Sequence, residues 1–80
     1  MNHKNEEELT QSIIDIVQEA TRSNIVNKNS STENLSEWDS LAYMSIISEI
    51  EIEYEVEITE DNIEGFDSVS SIVKIIQTTK

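Results

Sequence analysis

The sequence contains no cysteine and no proline, and among its 80 residues it has one glycine, one histidine and five basic residues. Without cysteine the chain cannot form a disulfide framework, a thiolate metal site or a cysteine nucleophile, so a disulfide-stapled scaffold and a zinc finger are both excluded. Stability must come from packing alone. A chain this short buries only about 60 to 65% of its unfolded surface, so we expect one domain, residues 1–80, with a thin core.

Long hydrophobic segments are also missing. No apolar run approaches the roughly 18 residues that a membrane span requires. The first eight residues are polar and acidic, whereas a secretory signal begins basic and continues apolar. We therefore expect a cytoplasmic protein without membrane contacts.

Negative charge dominates the chain, with a formal net charge of −12. Twelve of the 17 acidic residues lie in the segment 33–67, which has no lysine or arginine and is called the acidic segment below. Binding to nucleic acids or anionic membranes needs a basic face and is excluded. The acidic segment is either a solvated surface or a docking surface for basic partners. Its acids are interleaved with apolar residues in a region that must fold, where like charges cost stability, and this favours docking.

Hydrophobic periodicity predicts an all-α fold. Asn5 is a suitable cap for a first helix over about 6–21, because glutamates follow it and apolar residues recur at helical spacing. The polar stretch 27–34 has no periodicity and predicts a long loop. The expected anchors of this loop to the core are Ile25, Val26 and Leu35.

Two patterns compete in the middle of the chain. Asp39 is a favoured cap residue, and a helical stripe follows it through Leu41, Met44, Ile47, Ile50 and Tyr54. Residues 49–58, however, alternate strictly between acidic and mostly apolar side chains, which on periodicity alone indicates a strand. No second alternating segment could pair with such a strand. We therefore predict a helix to about Tyr54, followed by an extended connection.

Two further helices are expected near the C-terminus. Thr59 caps a short helix with Glu60 and Asp61 in its first positions, and Gly65 lies where a helix end can use positive φ. Asp67 or Ser68 caps the last helix, whose apolar positions are Val69, Ile72, Val73 and Ile76. The predicted architecture is a four-helix bundle of three longer helices and one short helix, with a long loop after the first.

Catalytic and metal-binding chemistry is poorly represented. His3 is the only histidine and lies in a polar stretch two residues from the N-terminus. Glu57, Thr59 and Asp61 lack the glycine and terminal glutamate of a calcium loop. We therefore expect neither an enzyme nor a metal site.

Among the 11 serines, Ser40 is the one that combines the first turn of a predicted helix with a preceding Trp38 and Asp39 and a following apolar stripe that begins at Leu41. In isolation, Asp39 and Ser40 would be an ordinary capping pair. Together with the rest of the pattern, however, the sequence resembles the acyl carrier protein family over the whole chain. The apolar positions in family register are Leu41, Met44, Ile46, Ile47, Ile50, Tyr54, Ile58, Ile63, Phe66, Val69, Val73 and Ile76.

The resemblance implies a carrier protein whose Ser40 hydroxyl is esterified to 4'-phosphopantetheine by a separate phosphopantetheinyl transferase that uses coenzyme A and Mg²⁺. The arm would provide the thiol that this cysteine-free chain lacks. By the same resemblance, Asp39 would cap the helix and help to hold the transferase's metal. Leu41 would be an exposed apolar contact for partner enzymes, although it could equally be a core leucine.

The resemblance also implies partner and cargo sites. Acyl-loading and acyl-transferring enzymes with basic patches would dock on a carrier that we expect to be monomeric. The expected docking residues are Leu41, Glu49, Glu53, Glu60, Asp61 and Glu64. The acyl chain could enter a cleft between the last three helices, lined by Ile46, Ile50, Ile63, Val69 and Ile72, although such residues could also be plain core.

The sequence departs from carriers of primary fatty acid synthesis at several points. Trp38 replaces a Gly-Ala-like pair, Thr59 replaces the usual proline, and the first two turns of the second helix carry no charge. These features look more like a discrete carrier of a specialised pathway, such as polyketide, lipid-modification, surface-glycan or aminoacyl-carrying systems. The alternative is an acidic helical interaction module, an inhibitor or nucleic-acid mimic, without a covalent arm.

Overall fold

Three α-helices and one short 3-10 helix form the fold in a computed structural model that describes residues 6–79. Helix α1 spans Glu6–Thr21, α2 spans Ser40–Tyr54, the 3-10 helix spans Ile63–Gly65, and α3 spans Val69–Thr79. The predicted all-α architecture, with three longer helices, one short helix and a long loop after the first, is confirmed. The predictions for His3 and for a cap at Asn5 lie outside the described residues.

Helix α1 packs against both α2 and α3. Its buried residues are Leu9, Ile13, Val17 and Thr21, which recur at every fourth position and so lie on one face. The buried hydroxyl of Thr21 donates a hydrogen bond of 2.7 Å to the Val17 carbonyl, which avoids the cost of an unpaired polar group in the core.

The long loop between α1 and α2 is tied to the start of α3. The Thr32 N–H donates to the Asp67 carbonyl at 2.9 Å, and the Val69 N–H donates to the Ser30 carbonyl at 3.1 Å. Of the three predicted loop anchors, Val26 and Leu35 are buried, as expected. The prediction for Ile25 was wrong, because this side chain is 67% exposed and Val26 alone turns inward at that point.

Helix α2 continues to Tyr54, so the helical interpretation of the alternating segment is correct, and residues 6–79 contain no strand. A hydrogen bond ties the segment after α2 back to the helix: Glu51 Oε2 accepts from the Ile58 N–H at 3.1 Å. The alternation therefore reflects two roles for the segment. Residues 49–54 belong to the helix, and the rest is an irregular connection that packs Val56 and Ile58 against the core.

The short helix differs from its prediction at both ends. Thr59, Glu60 and Asp61 form a turn before the helix, in which the Thr59 carbonyl accepts from the Ile63 N–H at 2.9 Å. Gly65 does not have positive φ. A Cβ at this position would lie 2.5 Å from Ile75 Cδ1, so glycine here permits close packing of the 3-10 helix against α3.

Positive φ occurs instead at Glu55, which ends α2 with φ 55° and ψ 47°. This left-handed conformation costs a residue with a side chain roughly 1–2 kcal/mol relative to glycine. We expect Glu55→Gly to raise the free energy of unfolding by about 0.5–1 kcal/mol, after glycine's own entropy cost. Denaturant titration measures this change. Glu57→Gly removes the same charge at an exposed position without positive φ, and stabilisation by both variants to the same extent would contradict the backbone explanation.

Candidate functional site

Ser40 is the first residue of α2, and Asp39 caps the helix as predicted. Asp39 Oδ1 accepts a hydrogen bond of 3.0 Å from the Ala42 N–H, while the Asp39 carbonyl accepts from the Tyr43 N–H at 2.8 Å. Asp39 itself has extended backbone angles, so the chain turns sharply into the helix at this point. The cap therefore fixes the direction of the first turn and the position of Ser40 within it.

A buried tryptophan lies immediately below this turn. Trp38 is 3% exposed and belongs to the core, whereas Asp39 and Ser40 are exposed. Its indole N–H is buried without a hydrogen-bond partner in residues 6–79, so the ring is held there by packing. The Trp38 side chain anchors the start of α2 in the core, and Ser40 lies on the surface.

The outer face of α2 beyond Ser40 is unusually apolar. Leu41 is 80% exposed, Met44 58% and Ile52 73%, so of the two alternatives for Leu41 the exposed one is correct. Sequence reasoning missed the exposure of Met44 and Ile52. The sequence did contain a sign of this exposure, because α2 has more apolar residues than fit on one buried face. Its buried face is formed by Ala42, Ile46, Ile47 and Ile50.

The predicted acidic docking residues all lie on the surface, but on three different elements. Two extend from the second half of α2, two from the turn before the 3-10 helix and one from that helix: Glu49, Glu53, Glu60, Asp61 and Glu64. The first two turns of α2 carry no acid. Along α2, negative charge therefore begins only at Glu49, more than two turns beyond Ser40, and uncharged residues lie between them.

Tyr43 connects α2 to the 3-10 helix. Its hydroxyl donates a hydrogen bond of 2.6 Å to the Ile63 carbonyl. Burial raises the pKa of the Tyr43 hydroxyl, and the negative charges of Asp67 and Glu64 raise it further. The hydroxyl thus keeps its proton and remains a donor at neutral pH, which holds the short helix against α2.

The predicted acyl-pocket residues lie within the core. Ile46, Ile50, Val69 and Ile72 have no exposed surface, and Ile63 is half-buried and packs against the same cluster. Two cavities are lined by other residues. The structure therefore brings the five residues together as part of one packed core.

Residues 6–79 contain no group of three or more His, Cys, Asp or Glu side chains arranged to hold a metal ion. None of the helices formed by these residues combines the length and the apolar character that crossing a bilayer requires.

The start of α2 suits an anionic ester on Ser40. The first N–H groups of a helix have no partners within it, and the dipole places partial positive charge there. The Ala42 N–H donates to Asp39 Oδ1. The N–H groups of Ser40 and Leu41 remain as donors that no hydrogen bond within the helix uses. A phosphate on the Ser40 oxygen would meet these donors.

A family model described as "Phosphopantetheine attachment site" matches residues 11–76, which is most of the chain. Searches of curated proteins and of solved structures each found no significant match. Domains of the matched family carry 4'-phosphopantetheine covalently, are not themselves catalytic, and interact with a phosphopantetheinyl transferase and with biosynthetic enzymes. The chain therefore belongs to the phosphopantetheine attachment family and is a carrier domain of the acyl carrier type.

Proposed function

We propose that this carrier holds acyl or aminoacyl groups as thioesters on an arm attached to Ser40. The observation that carries the proposal is the exposed hydroxyl of Ser40 in the first turn of α2, within the residues that the family model matches. The Ser40 oxygen would form the phosphoester as the nucleotide half of coenzyme A leaves. The N–H groups of Ser40 and Leu41 would stabilise the phosphate, and Asp39 would help to hold the transferase's Mg²⁺.

When attached, the arm supplies the thiol that binds the acyl or aminoacyl cargo. The chain has no cysteine, so no other thiol competes with the arm for this cargo. Trp38 and the uncharged start of α2 support a role in a specialised pathway rather than in primary fatty acid synthesis. The use of coenzyme A supports a cytoplasmic location, and the repulsion expected between copies with a net charge of −12 supports a monomer.

We further propose that an acyl chain enters the core between α2, the 3-10 helix and α3. Ile63 is the half-buried member of the proposed pocket, whereas Ile46, Ile50, Val69 and Ile72 lie behind it without exposed surface. Because the core is close-packed, cargo would have to displace these side chains. The proposed pocket thus opens at Ile63 only when cargo enters.

Partner enzymes are proposed to dock on two adjoining parts of the surface. Leu41 and Met44 offer apolar contact close to Ser40, while Glu49 and Glu53 on α2, with Glu60, Asp61 and Glu64 beyond it, attract basic patches. Charges at the edge of an interface mainly accelerate association, and buried apolar anchors mainly determine affinity. Salt should therefore slow association without removing the apolar contribution.

Leu41→Ala is expected to weaken binding of apo protein to the transferase by about tenfold, because a central apolar anchor contributes roughly 1–2 kcal/mol or more. Titration calorimetry of the two proteins measures the dissociation constant. Gln77→Ala is the control, since it truncates a long exposed side chain on α3, outside α2. Equal affinities for wild type and Leu41→Ala would contradict the proposed anchor.

The carrier proposal is tested by intact mass spectrometry after incubation with coenzyme A, Mg²⁺ and a broad-specificity transferase. We expect a single phosphopantetheine to be added. An unmodified chain that circular dichroism shows to be folded and helical would contradict the proposal and favour an acidic interaction module without an arm.

A further inference from the structure

An open cavity of about 490 Å³ lies where the chain leaves α1, and the proposed carrier function leaves it unexplained. Four consecutive residues after the helix form one side of it, and a residue of the loop before α2 forms the other: Arg22, Ser23, Asn24, Ile25 and Glu37. Two features of this wall are unusual. Ile25 exposes 67% of its surface, and Arg22 has a left-handed backbone with φ 60°, which a residue with a side chain rarely adopts.

The cavity lies at the same end of the bundle as Ser40. Glu37 precedes Ser40 by three residues, and three residues span at most about 11 Å. A phosphopantetheine arm has a longer main chain than three residues of peptide, so the pantetheine part of an arm on Ser40 can reach the cavity wall, while its phosphodiester stays beside Ser40. A second cavity is lined by Glu6 at the opposite end of α1, and a helix of 16 residues is roughly 24 Å long.

The wall carries groups that match the arm. The arm consists of a phosphodiester, a dimethyl-substituted carbon and two amides. Within residues 6–79 the Arg22 guanidinium makes no ion pair, and a guanidinium binds phosphate oxygens with two parallel donors. Ile25 offers apolar surface for the methyl groups, and the amide of Asn24 can donate to and accept from the arm's amides.

Charge makes Arg22 distinctive in this part of the molecule. The phosphodiester would be attached beside Asp39 and near Glu37, which both repel it. Arg22 is the only cationic residue lining this cavity, and it is the chain's only arginine. A phosphate that turns toward Arg22 gains an attraction that offsets part of the repulsion from Asp39 and Glu37.

We infer that this cavity, called the arm cavity below, is a binding site for the chain's own phosphopantetheine arm. Arg22 attracts the phosphodiester at the root of the arm, and Asn24 and Ile25 contact the pantetheine part. The inference rests on the proposed attachment at Ser40. The arm cavity would hold the arm against the carrier while no partner enzyme is bound.

Paramagnetic relaxation in NMR tests the inference on the arm-loaded protein. Since the polypeptide has no cysteine, a thiol-specific nitroxide labels only the arm. We expect the label to broaden the amide signals of Ser23, Asn24 and Ile25 strongly. The amide signals of Asn29 and Lys74, which line the second cavity, should stay sharp.

Substitution of Arg22 provides the specific test. Arg22→Gln should reduce the broadening at residues 23–25 by about two- to fivefold, the range expected for one solvent-exposed ion pair. Lys74→Gln removes the same charge from an exposed residue of the second cavity and should leave the broadening unchanged. Both side chains are exposed, so both variants should fold.

Three results would overturn the inference. The first is equal broadening around the two cavities. The second is broadening confined to the outer face of α2. The third is an Arg22→Gln variant that takes up the arm slowly but keeps the wild-type broadening pattern, because the arm cavity would then serve the transferase instead. Intact mass is measured first, and a chain that never accepts the arm contradicts the proposed function itself, and this inference with it.

Discussion

Ser40→Ala is expected to abolish attachment of the arm completely. The substitution removes one oxygen from an exposed side chain and leaves the cap intact, because Asp39 Oδ1 still accepts from the Ala42 N–H. Alanine is also the best helix former, so the variant should fold at least as well as wild type. Intact mass spectrometry after treatment with coenzyme A and transferase should show only the unmodified chain.

Ser45→Ala is the matched control for this substitution. Ser45 is exposed on α2 and is separated from Ser40 by more than one turn of the helix. This variant should be modified as fully as wild type. Modification of Ser40→Ala, or failure of the Ser45→Ala control, would show that the attachment site has been placed on the wrong residue.

Phe66→Ala is expected to unfold much of the protein. Phe66 is the largest of the side chains with no exposed surface and follows the 3-10 helix directly. Removing a buried phenylalanine costs about 3–5 kcal/mol, while a core of this size rarely supplies more than 3–5 kcal/mol of net stability. Helical circular dichroism and the fluorescence of Trp38, the only tryptophan, should both report the loss of structure.

Ile52→Ala is the control that shows whether the loss of stability in Phe66→Ala comes from the burial of the side chain or only from its apolar character. Ile52 is also a large apolar residue, but 73% of its surface is exposed, so truncation should change the free energy of unfolding by no more than about 0.5 kcal/mol. If Phe66→Ala were as stable as Ile52→Ala, the position of Phe66 in the core would be wrong. Phe66→Leu keeps an apolar side chain of similar volume and should retain the fold at an intermediate stability.

Local signals were sufficient to predict the elements that position Ser40. The bounds of α1 follow from apolar spacing, and the start of α2 follows from the capping chemistry of Asp39, which depends only on residues within one turn. The competition between helix and strand over residues 49–58 was settled by the missing partner strand, because a strand requires a second one and a helix does not.

Features that depend on contacts between distant residues could not be predicted. Gly65 was expected to use positive φ, but its role is set by Ile75 on α3. The exposure of Met44 and Ile52 was hidden because α2 is apolar on several faces, so periodicity could not identify its buried side. The arm cavity joins Arg22 to Glu37 across a loop, and no spacing in the sequence brings these residues together.

Locating the arm on the wild-type protein shows directly whether Ser40 is the attachment site. The loaded chain can be fragmented in a tandem mass spectrometer, and its 11 serines distinguished by the fragments that retain the added mass. We predict that every fragment that includes Ser40 retains the phosphopantetheine and that fragments ending at Asp39 or beginning at Leu41 do not. Added mass on any other serine would contradict the account.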